Sequence, residues 1–205
     1  MFQGLGLEAR REAARVFQPL RVRRGEVLYR EGDLADGVYL VRQGLVWLHA
    51  EAEGEGLTLA LLGPGDLFGE EALVGGLRRG LSAQALAYTE LLFGERRAVE
   101  ALRARFPEVG AFLLEGLYRR LKAAEGRLLE RRFPVAQRLA RLLLQLGGEG
   151  EVFFSHQDLA RMVGATRETV TKLLGEWALA GILDLGYRRL EIKDREALAR
   201  MAEAL

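Results

Sequence analysis

The hydrophobic period of this chain changes twice along its length, and that change constrains the fold more than any single motif. From Leu20 to about Phe93, short apolar runs alternate with glycine-rich punctuation, as in "GVYLVRQGLVWLHAEAEGEGLTLALLGPGDLFGEE". Val38–Val41, Leu45–His49 and Leu57–Leu62 have strand length and β-branched or aromatic content, with Gly44, Gly54, Gly56, Gly63 and Gly65 where turns belong. Regularly spaced short strands predict an all-β sandwich or barrel here.

From about Arg96 the glycines thin out and a helical pattern takes over, with Pro107 near its start. Gly110, Leu114, Leu117, Leu121, Ala124 and Leu128 recur at alternating steps of four and three. That 3.5-residue period is the seam of a coiled coil. It predicts a two-fold dimer with Leu114, Leu117, Leu121, Ala124 and Leu128 at the interface. A helix lying on its own β domain is the competing reading. In "ERRFPVAQRLARLL", Pro134 disfavours helical geometry at Phe133 and predicts a break before a new helix to Leu146.

The segment "HQDLARMVGATRETVTKLLGEWALAGIL", residues 156–183, then carries a specific arithmetic. Counting His156 as one, Ala160 is fifth, Gly164 ninth, Val170 fifteenth and Leu173 eighteenth. A helix-turn-helix needs a small residue where its helices cross, a residue at ease with positive φ in the tight turn, and aliphatics on the inner face of the second helix. Val170, Leu173, Leu174 and Trp177 follow i, i+3, i+4, i+7, leaving Arg167, Glu168, Thr171 and Lys172 on the opposite face. Thr166 is placed as N-cap, with Thr169 one turn in.

Those exposed types suit base edges. Arginine forks onto guanine O6 and N7, glutamate accepts from cytosine N4, and lysine reaches guanine or phosphate. Thr169, Gln157 and the helix N-termini are candidates for phosphate contacts that fix register. The competing reading is a solvated helix face with Arg167 or Lys172 paired to Glu168. "GILDLGYRRLEIKD" predicts a hairpin turning at Gly186, with Arg188 and Arg189 near its tip as a wing on the DNA backbone, and a last helix follows from about Arg195 to Ala204.

Composition removes several classes. With no cysteine, disulfides, iron-sulfur clusters and thiolate zinc sites are excluded. The N-terminus is charged every few residues, and no stretch approaches the roughly 20 apolar residues of a membrane span, so a cytoplasmic location and no membrane partner are expected. Net charge is +1, so bulk charge does not announce nucleic acid; residues 131–205 hold 12 basic against 10 acidic side chains. The only histidines are His49 and His156. A cupin-type metalloenzyme built on the same kind of barrel needs two or three histidines with a glutamate, and one histidine in the β region makes this remote. No metal site, haem or catalytic residue is expected. Glu70 and Glu71 read as a pair capping a turn.

In element order and motifs the chain resembles the cyclic-AMP receptor protein and FNR family of bacterial transcription regulators, over roughly residues 20–192. "GATRETVTKLLGEWALAGIL" is similar to the family signature in which an Arg-Glu pair and a basic residue four beyond the glutamate read a TGTGA-like half-site; these fall on Arg167, Glu168 and Lys172. The last is usually arginine, so a less bidentate third contact is implied. The resemblance implies an α+β chain: a jelly-roll-like β-roll of the cyclic-nucleotide-binding type (1–95), a long dimerisation helix (96–132) and a C-terminal winged helix-turn-helix domain (133–205). It implies double-stranded DNA, a second copy of the chain and RNA polymerase as partners, and activation of transcription.

"GPGDLFGEEAL", residues 63–73, looks like the family's phosphate-side loop. In nucleotide-binding members a Gly-Glu pair touches the ribose, an Arg-Ser pair holds the cyclic phosphate, and hydroxyl residues on the dimer helix bond the adenine. Gly69 and Glu70 match the first and Ser82 half of the second, but Leu81 stands where the arginine belongs, and Ala123 and Ala124 replace the hydroxyls. The expectation is a regulator that works without cyclic AMP. The alternative is a nucleotide-gated regulator in which Arg79 stands in for the missing arginine.

Overall fold

A computed structural model describes residues 2, 4–50, 57–147 and 150–203. The expected turns at Gly54 and Gly56, and the last helical position, Ala204, lie outside the described residues. The chain divides into two compact units, residues 1–125 and 126–205.

The first unit opens with α1 (Leu7–Val16) and continues through β1 (Phe17–Val22), β2 (Val27–Tyr29), β3 (Gly37–Gln43), β4 (Val46–Ala50), β5 (Leu57–Leu62), β6 (Leu67–Phe68), a single 3-10 turn (Glu70–Leu73), β7 (Ser82–Ala85) and β8 (Thr89–Glu95). The strands pair antiparallel in two four-stranded sheets, ordered β1-β8-β3-β6 and β2-β7-β4-β5. The run from Val38 to Val41 is apolar at every position because both faces of β3 are covered. Val38 and Leu40 join a core with Ala9, Ala13, Phe17, Val99 and Leu102, whereas Tyr39 and Val41 pack with Tyr29, Val46, Leu62, Phe68 and Leu91.

The single long helix expected over 96–132 is corrected to two, α2 (Arg96–Arg105) and α3 (Pro107–Glu130). Between them Phe106 is extended, with φ −126° and ψ 94°, because proline disfavours helical geometry in the residue before it. Along α3, Val109 and Leu113 are buried against the roll and Leu117 packs on the same cluster. Leu114, Tyr118, Leu121 and Leu128 are exposed on another face. The helix therefore serves its own β domain along one edge, and a second apolar edge is exposed among the described residues.

The second unit carries α4 (Val135–Leu146), β9 (Glu151–Val152), α5 (His156–Val163), α6 (Arg167–Leu179), β10 (Leu183–Gly186), β11 (Arg189–Ile192) and α7 (Arg195–Glu203), with a small sheet in the order β10-β11-β9. Pro134 is the N-cap of α4. Leu139, Leu143, Leu159, Ala160, Val170, Leu174 and Leu198 are fully buried, and each leucine withdrawn from water contributes about 1.5–3 kcal/mol. Arginines finish the helix ends: Arg195 donates to the carbonyls of Gly147 and Leu144 at 2.8 and 3.2 Å, and Arg138 to that of Val163.

Leu174→Ala is expected to cost about 2–5 kcal/mol of stability in chemical denaturation. Lys172→Ala, on the exposed face of the same helix, should change it by less than about 0.5 kcal/mol.

Candidate nucleic-acid interface and effector pocket

Both helices of the helix-turn-helix are fixed at their starts by side chains. Ser155 caps α5 in a reciprocal box: its Oγ accepts from Asp158 N at 3.1 Å, and Asp158 Oδ2 accepts from Ser155 N at 3.0 Å. Thr166 caps α6, accepting from Thr169 N at 3.2 Å, with the two threonine hydroxyls 2.9 Å apart. Between the helices Gly164 sits at φ +64°, where any Cβ is strained. Val170, Leu174 and Trp177 face inward and Leu173 is half-buried.

Arg167, Glu168, Thr171 and Lys172 all lie on the exposed face of α6. Lys172 stands 3.9 Å from Glu176, a long contact between side chains 78% and 54% exposed, which holds the ammonium weakly. Arg167 and Glu168 form neither ion pair nor hydrogen bond with any described residue, so the intrahelical pairing of the solvated-face reading is absent from the described contacts. Thr171 is engaged locally: its Oγ1 lies 3.0 Å from His156 Nδ1 on α5. Gln157 is half-buried beside it.

The two expected wing arginines separate. Arg188 is exposed in the turn, in the left-handed region at φ +54°. Arg189 is turned back onto the sheet, its Nε donating to Glu151 Oε1 at 2.9 Å and Nη2 to Glu191 at 3.4 Å, so it braces the hairpin rather than extending from its tip. Two residues of this region were not singled out from sequence. Tyr187, beside Arg188, is 93% exposed, and His156 lines an open cleft of about 380 Å³ with Phe154, Gln157, Arg167, Tyr187 and Arg188. The turn position of Tyr187 was the available signal for the first; nothing in sequence separates the second from an ordinary helix start.

In the roll, Gly69, Glu70 and Arg79 come together. Gly69 adopts φ +81°, and a Cβ there would lie 2.7 Å from Arg79 Nη1 and 3.0 Å from the Gly37 carbonyl. Arg79 is wholly buried and bound by its own chain. Nη1 donates to Gly69 O at 3.1 Å and Glu71 Oε1 at 3.3 Å, and Nη2 to Asp36 Oδ1 at 2.7 Å and Gly37 O at 2.9 Å. Its guanidinium lies 4.3 Å from the centre of the Tyr29 ring. Burial pushes the Tyr29 hydroxyl well above the usual phenol range, and burial with the nearby Asp36 carboxylate pushes Tyr39 up to about 12.

Glu70 is held by Arg120 of α3 through both carboxylate oxygens, one at 2.6 Å. Glu70 and Glu71 thus open the 3-10 turn and each binds an arginine. Ser82, in β7, is buried and accepts from Glu31 N at 2.8 Å. Ala123 and Ala124 are exposed on α3. His49 is half-buried, its ring stacked on Trp47 with centroids 3.8 Å apart.

A β-roll, a helix with an uncovered apolar edge and a capped helix-turn-helix with a wing define a DNA-binding transcription regulator. Residues 19–106 match the cyclic nucleotide-binding domain family and residues 137–201 the Crp-like helix-turn-helix domain family. The chain belongs to the CRP/FNR family of transcription regulators, which are not enzymes. It is 38% identical to a cyclic AMP receptor protein of Thermus thermophilus, covering 100% of this chain and 97% of the other. It is 32% identical to a CRP-like cAMP-activated global transcriptional regulator of Mycobacterium tuberculosis, covering 98% and 96%. The crystal structure of a CRP-family transcriptional regulator from Thermus thermophilus superposes with a TM-score of 0.80 at 28% identity, covering 90% of this chain and 97% of that one. No helix among the described residues is long and apolar enough to cross a membrane.

Arg79→Met removes the donor to two buried carbonyls, so a loss of about 1–3 kcal/mol is expected in denaturant titration. The loss falls below that for a fully enclosed ion pair because the Asp36 side chain is 64% exposed and returns to water. Arg78→Ala, exposed beside it, should shift the midpoint little.

Proposed function

We propose that this chain acts as a homodimer that reads a palindromic, TGTGA-like site without needing cyclic AMP. The observation that carries the DNA reading is the exposed face of α6, where Arg167 and Glu168 are uncommitted on a helix whose start is fixed by Thr166. An arginine free of internal partners can fork onto a guanine, and its neighbouring glutamate can accept from a cytosine amino group. Thr169, Gln157 and Arg188 take phosphates, with Lys172 as the third base reader. Thr166 and Thr171 act mainly by holding the helix and its neighbour, and Arg189 by bracing the wing.

Dimerisation is supported by the exposed edge of α3. Leu114, Leu117, Tyr118, Leu121 and Ala124 line an apolar trough of about 430 Å³, and the seam predicted from sequence runs through it to Leu128. On a palindromic site, the two α6 helices of such a dimer enter successive major grooves about 34 Å apart. Activation of transcription and contact with RNA polymerase rest on the family resemblance alone.

Independence from cyclic AMP rests on Arg79. Its four Nη hydrogens have four acceptors from the chain itself, and Glu70 is neutralised by Arg120. A cyclic phosphate would have to displace two carboxylates from a buried cation, with no hydroxyl at Ala123 or Ala124 to hold the base. The alternative, a nucleotide-gated regulator using Arg79, is favoured by relatives whose names declare cyclic AMP as their ligand. Under that reading, the nucleotide phosphate exchanges with Asp36 and Glu71.

Arg167→Ala should cost roughly 1–3 kcal/mol on the palindrome and relax preference at one base pair per half-site. Competition binding against a duplex library reads this, and equal weakening on every sequence would reassign Arg167 to phosphate. Titration calorimetry with cyclic AMP and cyclic GMP should show no binding, and neither nucleotide should change duplex affinity in a gel shift. A large gain in affinity with cyclic AMP would establish the gated reading instead.

A further inference from the structure

The cleft between α5 and the wing is charged in one sense only. Arg167, Arg188 and Arg189 line it with His156, and no carboxylate is among the described residues of its wall. Arg189 is held by Glu151 and Glu191, so Arg167 and Arg188 carry the uncompensated charge. His156 opens α5, and Thr171 of α6 fixes its ring through Nδ1 at 3.0 Å. Nε2 has no hydrogen-bonding partner among the described residues.

The groups packed around the ring can be named from each element. From α6 come Arg167, with Glu168 and Lys172 along the same exposed face. From the wing come Arg188 and the paired Arg189. On α5 itself the nearest acid is Asp158, whose carboxylate is turned onto Ser155, 2.6 Å from its Oγ. A cationic cleft of this size with an uncommitted imidazole nitrogen is suited to one oxyanion of a sugar-phosphate backbone.

We propose that His156 is a contact to the DNA backbone: a phosphate of the duplex seats between α5 and the wing, and the imidazole takes up a proton from solvent as it arrives. This rests on the reading of α6 as the helix that enters the groove, since Arg167 shares the cleft. In the free protein, burial and the adjacent Arg167 lower the imidazole from its ordinary value of 6.5, which favours the uncharged ring. An adjacent phosphate favours the charged ring and raises its pKa in the complex. Affinity from this contact is fully present below the free-state value and is lost as pH rises through the higher, complex-state value.

The test is duplex binding by fluorescence anisotropy at fixed ionic strength, from about pH 5.5 to about 8.5, with a TGTGA-type palindrome and a scrambled duplex of equal length. The unaltered protein should bind more weakly as pH rises, by up to about ten-fold per pH unit for each His156 engaged. The slope should be the same on both duplexes, because a phosphate carries no sequence. His156→Gln should flatten it and His49→Gln, in the roll, should not. Calorimetry of the unaltered protein in two buffers of different ionisation heat should show proton uptake on binding. Duplex binding with no pH slope, or a slope that survives His156→Gln, overturns this inference alone. Absence of duplex binding at every pH overturns the reading of α6 beneath it as well.

Discussion

A guanidinium buried without partners is among the costliest things a small domain can contain, and the roll is built so that Arg79 does not meet that fate. Desolvation of such an ion costs several kcal/mol, recovered only if geometry and hydrogen bonding are good. Here the recovery comes from four acceptors drawn from two places in the chain, residues 36–37 and 69–71. The glycine at position 69 follows, because a side chain there would strike Arg79. So does the placing of Glu70, which reaches Arg120 on α3 once Glu71 is committed to Arg79. One buried cation thus orders the turn that carries Gly69, Glu70 and Glu71.

The second unit solves a different problem. Its helices are short, eight residues in α5 and thirteen in α6, lengths at which an isolated helix is at best marginal in water. Capping at Ser155 and Thr166, arginines on the carbonyls at helix ends, and the buried set around Leu159 and Leu174 hold them. Thr171 apart, which bonds His156 of α5, the outward face of α6 is thereby relieved of structural duty. Side chains that hold nothing in place are free to be chosen for what they touch, and Arg167 and Glu168 have that freedom.

Legibility from sequence follows the same division. The helix-turn-helix could be read because its constraints are local: a small residue at a crossing, a glycine at positive φ, a hydroxyl at a cap. Gly164 and Thr166 stand as the spacing requires. The break at Phe106 was written in Pro107 but overridden by the helical period on either side. On α3, Leu117 and Leu121 sit on one seam by spacing, yet Leu117 packs on the roll, because a stripe wider than the seam shares its residues between two surfaces. Arg79 was the least legible, since nothing local says that Asp36, more than forty residues away, ends 2.7 Å from it. The pairing of Arg189 across the sheet with Glu151 was hidden for the same reason.

Charge places a last constraint on how such a chain finds a site. Non-specific attachment to DNA is almost wholly electrostatic and grows with the number of phosphates neutralised. This chain has a net charge of +1, and residues 131–205 exceed neutrality by two positive charges. One wing arginine is spent on Glu151, and Lys172 on the exposed face of α6 stands near Glu176. Little unspecific attraction is left, so a large share of the free energy on a true site has to come from base edges and from a few well-placed phosphates. The contact proposed at His156 fits that constraint, because burial and Arg167 favour the uncharged ring in the free protein and a phosphate favours the charged one. On that proposal the contact strengthens attachment to any duplex once docked, and discrimination is left to the base edges proposed for Arg167 and Glu168.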